Sequence, residues 1–367
     1  MTGISGTPKT CHRTTMYQKR FFLSGLLGCV FLTGCAGFYG TRGFKESRPL
    51  IPLNENNLQI ESMNVSGDGA FLAVGYSGTN GGSQSGPPIL RIWAIDQDVP
   101  KLLGAKRVND LKILKPEFSY DGKTLFVAEK NGLMRINMAE FPLRPEEATT
   151  RTVSDSVRLL SKKGNFAATV SPEGKWSLLN VKMQTSQPLQ FGDIDHVLAF
   201  SDSGKFLAVR EATSAETPRG KERIGLWSLS TNPGLNEVTK VSEIDIEHFA
   251  SSDLCSFSPD DTTLAMVNRT GVLGLWNVRT GRLTEELRQS EAITAFAFSP
   301  QEKRIAICTS GRYAKLTLWD INRAKIVQTQ TDSSTEAMTA VVFSPDGKFI
   351  YTGDKNGNIK KWPVKNK

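Results

Sequence analysis

A short β-turn motif recurs along the chain, and it limits the possible folds more than any other feature. Its clearest copy runs from Phe343 to Trp362, where apolar stretches are joined first by Ser-Pro-Asp-Gly and then by Asn356-Gly357. Pro345 favours the second position of a type I turn, and Gly347 can adopt the left-handed conformation. Asn-Gly is typical of two-residue hairpin turns. The copy therefore predicts three consecutive antiparallel strands.

The copies align on the serine of the first turn. These serines are Ser66, Ser119, Ser161, Ser201, Ser258, Ser299 and Ser344. They are separated by 53, 42, 40, 57, 41 and 45 residues, an interval typical of repeated four-stranded sheets rather than helical repeats. An apolar residue precedes each serine and another follows it six positions later, so the same two strands should flank every turn.

Five copies end their third strand on a tryptophan. The residues are Trp93, Trp227, Trp276, Trp319 and Trp362. With the serine turns and the period, this pattern resembles the WD-repeat family, and Trp319-Asp320 is the literal Trp-Asp pair. The resemblance covers about residues 44 to 364 and implies an all-β, seven-bladed β-propeller of four-stranded antiparallel blades. Blades two and three depart from it, since Ile136 and Leu179 stand near the tryptophan position.

The start of the repeat region is expected to close the ring. Residues 50–53 form a short apolar stretch with no partner in their own repeat, whereas the last repeat stops after Trp362 without a fourth strand. A closed ring leaves no sheet edge open. We therefore predict that residues near 47 to 53 form the outer strand of the last blade. The alternative is an extension of the preceding tether, because Pro49 and Pro52 are tolerated only in an edge strand.

The N-terminal segment is typical of a secretory signal. Residues 1–34 carry four basic residues and no acidic residue, and a 13-residue apolar stretch begins at Phe21. That stretch is shorter than the roughly 20 residues that span a bilayer. It ends in Leu32, Thr33, Gly34 and Cys35, which resembles the lipobox of bacterial lipoproteins. This resemblance implies a diacylglycerol on the Cys35 thiol. An uncleaved anchor and an ordinary cleaved signal are the alternatives, and translation could start at Met16.

The expected organisation follows from these segments. Residues 1–34 form the lipoprotein signal peptide, residues 35–49 the lipidated cysteine and a flexible tether, and residues 50–367 the propeller. Removing the four basic leader residues leaves 41 Lys and Arg against 37 Asp and Glu, so the net charge falls from +8 to +4. This surplus is too small to indicate a nucleic acid partner. We expect a periplasm-facing envelope protein, and Ala36 after the cysteine favours the outer membrane.

Three long insertions provide the candidate partner surface. They are residues 77–88 in blade one, residues 211–223 in blade four, and residues 230–250 between blades four and five. Their connections predict that all three open on one rim, where we expect another protein to bind. The candidate contact residues are Arg210, Arg219, Lys221, Arg223 and Trp176. Trp176 could instead pack on a neighbouring blade, and the insertions could be drifted surface loops.

No constellation of catalytic residues is evident. His196 and His248 lie far apart in sequence, and neither belongs to a metal-spaced or triad-like cluster, so no metal or cofactor is expected. Cys255 and Cys308 fit buried free thiols, although a disulfide between them is an alternative. The best hypothesis is a lipid-anchored scaffold that binds another protein. The alternatives are a propeller-fold envelope enzyme, a hydrolase or lyase with its site in the central channel, and an assembly factor for outer-membrane proteins.

Overall fold

The computed structural model describes Arg42–Gly43, Pro49–Ile51 and most of residues 58–365. The gaps within the last range are residues 79–87, 98, 108–114, 130–131, 141–148, 153–155, 163, 182, 190–193, 213–220, 230–237, 248, 251–253 and 336. The described residues form 29 strands in seven sheets, with a 3-10 turn at Met138–Glu140. None of these residues belongs to a helix long and apolar enough to cross a bilayer.

Each sheet is one blade, and its strands follow one another antiparallel in chain order. Two short strands precede the blades, β1 (Arg42–Gly43) and β2 (Pro49–Ile51). Blade one contains β3 (Leu58–Val65), β4 (Phe71–Gly78), β5 (Ile89–Ala94) and β6 (Lys101–Arg107). Blade two contains β7 (Glu117–Phe118), β8 (Thr124–Glu129), β9 (Gly132–Asn137) and β10 (Thr149–Thr152). Blade three contains β11 (Ser156–Leu160), β12 (Phe166–Val170), β13 (Trp176–Asn180) and β14 (Thr185–Pro188).

The remaining four blades repeat this arrangement. Blade four contains β15 (Ile194–Phe200), β16 (Phe206–Glu211), β17 (Lys221–Leu229) and β18 (Val238–Glu247). Blade five contains β19 (Cys255–Phe257), β20 (Thr263–Val267), β21 (Val272–Asn277) and β22 (Leu283–Arg288). Blade six contains β23 (Ile293–Phe298), β24 (Arg304–Thr309), β25 (Ala314–Asp320) and β26 (Lys325–Asp332). Blade seven contains β27 (Met338–Phe343), β28 (Phe349–Asp354) and β29 (Ile359–Pro363).

The two N-terminal strands complete blades six and seven. Strand β2 pairs antiparallel with β29, with Pro49 opposite Lys360, and supplies the fourth strand of blade seven. The predicted closing strand is thus confirmed. Strand β1 pairs in parallel with β26, with Arg42 opposite Gln328, and adds a fifth strand to blade six. The sequence did not predict this pairing, and the segment expected to be a flexible tether therefore contains a strand bound to the propeller.

The hydrophobic core lies between the blades rather than within one. Seven buried clusters occur in the described structure, and each joins residues of two neighbouring blades. One cluster brings Ile60 and Tyr76 of blade one against Tyr351 and Ile359 of blade seven. This contact between the first and last blades closes the ring. Since each blade buries both of its faces against neighbours, a single blade could not hide its apolar residues alone.

The recurrent serine has a clear structural role. In six blades its Oγ accepts a hydrogen bond from the backbone N–H five residues later, with distances of 2.9 to 3.0 Å. In blade seven the Ser344 hydroxyl also donates to Asp346 Oδ1 at 2.6 Å, and Gly347 has the left-handed φ of 69°. The serine therefore satisfies a backbone group that the tight turn would otherwise leave unpaired.

Candidate protein-interaction surfaces

The propeller presents two faces that differ in their connections. Because successive strands run in opposite directions, the turns from first to second strand open on one face and the hairpins from second to third strand on the other. We call these the turn face, which carries the seven serine turns, and the hairpin face. The backbone N–H of Leu229 donates to the Lys205 carbonyl, which places the end of β17 beside the Ser201 turn. The connection from third to fourth strand thus also opens on the turn face.

The strands that flank the three insertions show on which face each insertion starts. The insertions of blades one and four join β4 to β5 and β16 to β17, and the ends of these strands lie on the hairpin face. Strand β18 divides the third insertion. The end of β17 and the start of β18 lie on the turn face, whereas the end of β18 lies on the hairpin face. The link that leaves β18 for blade five therefore starts on the same face as the insertions of blades one and four, whereas the segment before β18 starts on the turn face. The loops of the insertions lie outside the described residues, so the common rim stays a prediction.

Trp176 is buried between blades three and four. Its side chain belongs to the cluster that contains Leu207 and Val209, and its exposed fraction is 7%. The ring of His196 contacts it edge-on, with the ring centroids 5.6 Å apart. Of the two roles considered for Trp176, packing on a neighbouring blade is the one observed. The indole is therefore not available to a partner, and His196 supports it.

The candidate arginines of blade four are paired with acidic residues. Arg210 Nη1 lies 3.6 Å from Glu222 Oε2, and Arg223 Nε lies 3.6 Å from Asp245 Oδ1. Lys221 begins β17 opposite Glu247. Because carboxylates accompany Arg210 and Arg223, the described part of this end of blade four carries mixed charge and is not a simple basic patch. Of the other predicted site residues, Arg219, Leu32, Thr33, Gly34 and Cys35 lie outside the described residues.

A second charged group covers the blade-three side of blade four. Lys240 Nζ contacts Glu211 Oε1 at 2.7 Å and Glu243 Oε2 at 2.9 Å, and it lies 6.0 Å from the ring centroid of Trp227. Burial opposes the charge of Lys240, but its hydrogen bonds to the two carboxylates raise its pKa. A Cβ at position 225 would lie 2.4 Å from Glu211 Oε1, so Gly225 makes room for this group. The surface offers oriented charges of both signs.

Side-chain contacts join neighbouring turns at three of the seven junctions on the turn face. Gln301 Nε2 donates to the Pro345 carbonyl at 2.9 Å and so joins blades six and seven. Lys303 pairs with Asp260 between blades six and five, and Lys162 pairs with Asp202 between blades three and four. These contacts hold the turns at fixed positions around the axis, as a binding surface requires.

Glu117 is a buried carboxyl that the sequence analysis missed. It lies on the first strand of blade two with an exposed fraction of 8%, and Asn64 Nδ2 of blade one donates to it at 2.8 Å. Burial raises its pKa from 4.5 to about 8, although Lys162 and Lys115 oppose the shift. It therefore holds a proton at neutral pH. The sequence contained the signal, because the other six blades have uncharged residues two positions before the register serine.

A pocket of about 450 Å³ opens between blades seven and one on the turn face. Its lining includes Asp68, Asp346, Phe349, Tyr351 and Lys361. Lys361 Nζ lies 4.1 Å from the ring centroid of Phe349, where the aromatic face attracts a cation. The pocket combines an aromatic wall with charges of both signs, which suits a polar side chain of a partner better than a purely apolar one.

The two cysteines are buried free thiols in separate blades. Burial raises the pKa of Cys255 to about 12 and also raises that of Cys308, so neither is activated as a nucleophile. The alternative of a disulfide between them is not observed. No group of three or more His, Cys, Asp or Glu residues in the described parts of the chain is arranged to hold a metal ion.

Two comparisons with known proteins agree with this architecture. The family model "WD domain, G-beta repeat" matches residues 324–363, which run from the outer strand of blade six through blade seven. The chain is also similar to the protein groucho of Drosophila melanogaster, with 25% identity over 149 residues. That match covers 40% of this chain and 20% of groucho, so it spans about a fifth of the relative's length. Together with the seven blades, these similarities support a WD-repeat β-propeller. Proteins of this class typically act as protein-interaction scaffolds.

Proposed function

We propose that the protein is a lipid-anchored scaffold that holds another protein at the bacterial cell envelope. The observation that carries the scaffold part is the fixed arrangement of charged side chains on two faces of a ring whose blades share buried clusters. Such a ring can position binding groups without catalysing a reaction. No cofactor is required for this role.

The membrane part rests on the N-terminal sequence. The basic and apolar order of residues 1–34, followed by Leu32, Thr33, Gly34 and Cys35, supports cleavage before Cys35 and lipidation of its thiol. One acyl chain gives only marginal membrane binding, whereas two or more give a stable anchor. The lipid on Cys35 would hold the propeller against the envelope, facing the periplasm, and Ala36 supports the outer membrane as its site.

Metabolic labelling with a radioactive fatty acid tests the anchor. The wild-type chain should incorporate label, and Cys35→Ala should lose it. Cys29→Ala is the matched control, because Cys29 follows Gly28 in a poorer version of the same pattern and should leave labelling unchanged. An unlabelled wild-type chain, or label that persists in Cys35→Ala, contradicts the lipid anchor.

Crosslinking in the envelope tests the scaffold. We expect a stoichiometric protein partner to be captured by the wild-type chain and lost when residues 213–220 are replaced by a Gly-Ser segment of equal length. The same replacement of residues 79–87 is the matched control, since it alters the connection from β4 to β5 instead of the connection from β16 to β17. Capture that neither replacement reduces would remove the hairpin face as the partner surface.

A further inference from the structure

The outer strands of most blades carry features that discourage pairing with another chain. An exposed edge offers a row of unpaired backbone N–H and C=O groups, and charges, proline, glycine or short length protect it. Strands β10 and β14 have only four residues each. Strand β6 contains Gly104 and Lys106, β18 contains Lys240, Glu243 and Asp245, and β22 contains Glu285 and Glu286. On blade seven, β2 covers the edge of β29.

The six central residues of β26 lack charge, proline and glycine, and in the described chain β1 covers only two of them. They run from Ile326 to Thr331, and four of them are β-branched. Ile326 is 39% exposed, and Thr331 is exposed as well. A stretch of this composition at a sheet edge is well suited to accept another strand.

The chain itself demonstrates this property, since β26 is the strand to which β1 is added. The pairing joins Arg42 to Gln328 and Gly43 to Thr329, at the centre of β26. Within the described chain, β1 covers two of the eight residues of this edge. Gln328, the partner of Arg42, also accepts a hydrogen bond at its side-chain Oε1 from the backbone N–H of Lys365 at 3.1 Å. Residues near both ends of the described chain therefore contact Gln328, Arg42 by strand pairing and Lys365 through the buried side chain.

We propose that the outer edge of β26 is a strand-addition site for an extended segment of a partner protein, and that Arg42–Gly43 occupy its centre in the free chain. The partner segment adds in parallel, as β1 does, and is uncharged where it lies beside Ile326 and Thr331. Because it can span six residues, it makes more main-chain hydrogen bonds than β1 and displaces it. This inference depends on the proposed scaffold function for the existence of a partner, but not on the lipid anchor.

A peptide with the sequence of residues 38–47 and Thr in place of Lys45 is a suitable probe. Its central residues Arg42 and Gly43 already fit the edge, and in the register of β1 the substituted position lies beside Thr331. The full chain with Gly43→Pro should leave the edge free, since proline cannot donate to the ladder. We expect the labelled peptide to bind this variant at least tenfold more tightly than the wild-type chain, in which β1 competes. Hydrogen exchange should show added protection of the β26 amides.

Lysines on the exposed edge provide the decisive variants. Adding Ile326→Lys and Thr331→Lys to Gly43→Pro should weaken peptide binding at least tenfold. The matched control adds Leu102→Lys and Leu283→Lys, which alter side chains of similar exposure on β6 and β22 and should leave binding unchanged. Equal binding by both double-lysine variants, or no protection of β26 in any chain, overturns the strand-addition site.

A photoreactive residue in place of Ile326 tests the partner in cells, with the same residue in place of Leu283 as the control. We expect an adduct with a different protein at position 326 only, and its loss when Thr331→Lys is added. An adduct of two copies of this chain would assign the edge to self-association, and no adduct would leave it without a partner. Either result overturns the proposal. A wild-type chain that incorporates no fatty acid would contradict the lipid anchor. It would not change the expected results of the peptide-binding and photocrosslinking experiments.

Discussion

Blade seven and blade four show two ways of holding the same four-stranded sheet. In blade seven, Lys360 Nζ bonds Asp332 Oδ2 of blade six at 2.6 Å, and Trp362 Nε1 donates to Thr352 Oγ1 at 2.8 Å. Both bonds involve largely buried residues. Blade four instead has the longest strands, with nine residues in β17 and ten in β18, and its ion pairs lie at the surface. One blade depends on specific buried bonds and the other on the length of its sheet.

The difference explains where the sequence is regular and where it is not. Buried polar groups need particular partners at particular distances, so few residue types fit the sites in blade seven. That requirement agrees with the family-model match to residues 324–363. Exposed ion pairs contribute little stability, which leaves the surface of blade four free to change. The blade that is least constrained by folding is thus the one best able to carry a binding surface.

The largest expected effect comes from removing the buried lysine of blade seven. Lys360→Met should lower the free energy of unfolding by roughly 3 to 5 kcal/mol, because Asp332, 6% exposed, would keep a buried charge without its partner. Urea unfolding at neutral pH measures the change. Adding Asp332→Leu should recover much of the loss, since it removes the stranded charge.

Lys240→Met in blade four is the matched control for that substitution. Its ammonium also bonds two carboxylates, but the group is more exposed, and the expected loss is at most about 1 kcal/mol. Equal losses at positions 360 and 240 would erase the distinction between the two blades.

Glu117 in blade two limits the pH range over which the blades can be compared. Its folded-state pKa of about 8 lies above the unfolded value of 4.5, so the folded chain binds the additional proton between these values. Stability should therefore fall as pH rises from about 5 to about 8, by roughly 2 to 4 kcal/mol relative to Glu117→Gln. Urea unfolding at several pH values measures this change. An equal pH dependence of the free energy of unfolding in the wild-type chain and in Glu117→Gln would contradict the buried, protonated carboxyl.

The smallest expected difference concerns the turn serines of the two blades. Ser344 bonds the carboxylate of Asp346 at 2.6 Å, whereas Ser201 has only the Ser203 hydroxyl at 3.4 Å. Ser344→Ala should cost about 2 kcal/mol and Ser201→Ala about 1 kcal/mol, because both lose a backbone partner but only the first loses a charge-assisted bond. Thermal unfolding of both variants measures the difference, and a larger loss at Ser201 would reverse the comparison.

The candidate site was less predictable than the fold. Trp176 appeared suited to a rim because it follows a turn, but burial depends on the neighbouring blade that supplies Leu207 and Val209. The cations at positions 210 and 223 were recognisable, whereas their pairing with Glu222 and Asp245 depends on strand register. Strand β1 has no apolar pattern to reveal it, since its partner is a backbone edge.

The blade count and the closing strand could be obtained from local patterns, because turns such as Ser344 to Gly347 depend on backbone angles and hydrogen bonds within a few residues. Contacts between blades required the folded ring. The proton held by Glu117, the burial of Trp176 and the addition of β1 to β26 all arise where segments distant in sequence meet. Burial and register at those contacts are properties of the assembled sheet stack, and no single repeat encodes them.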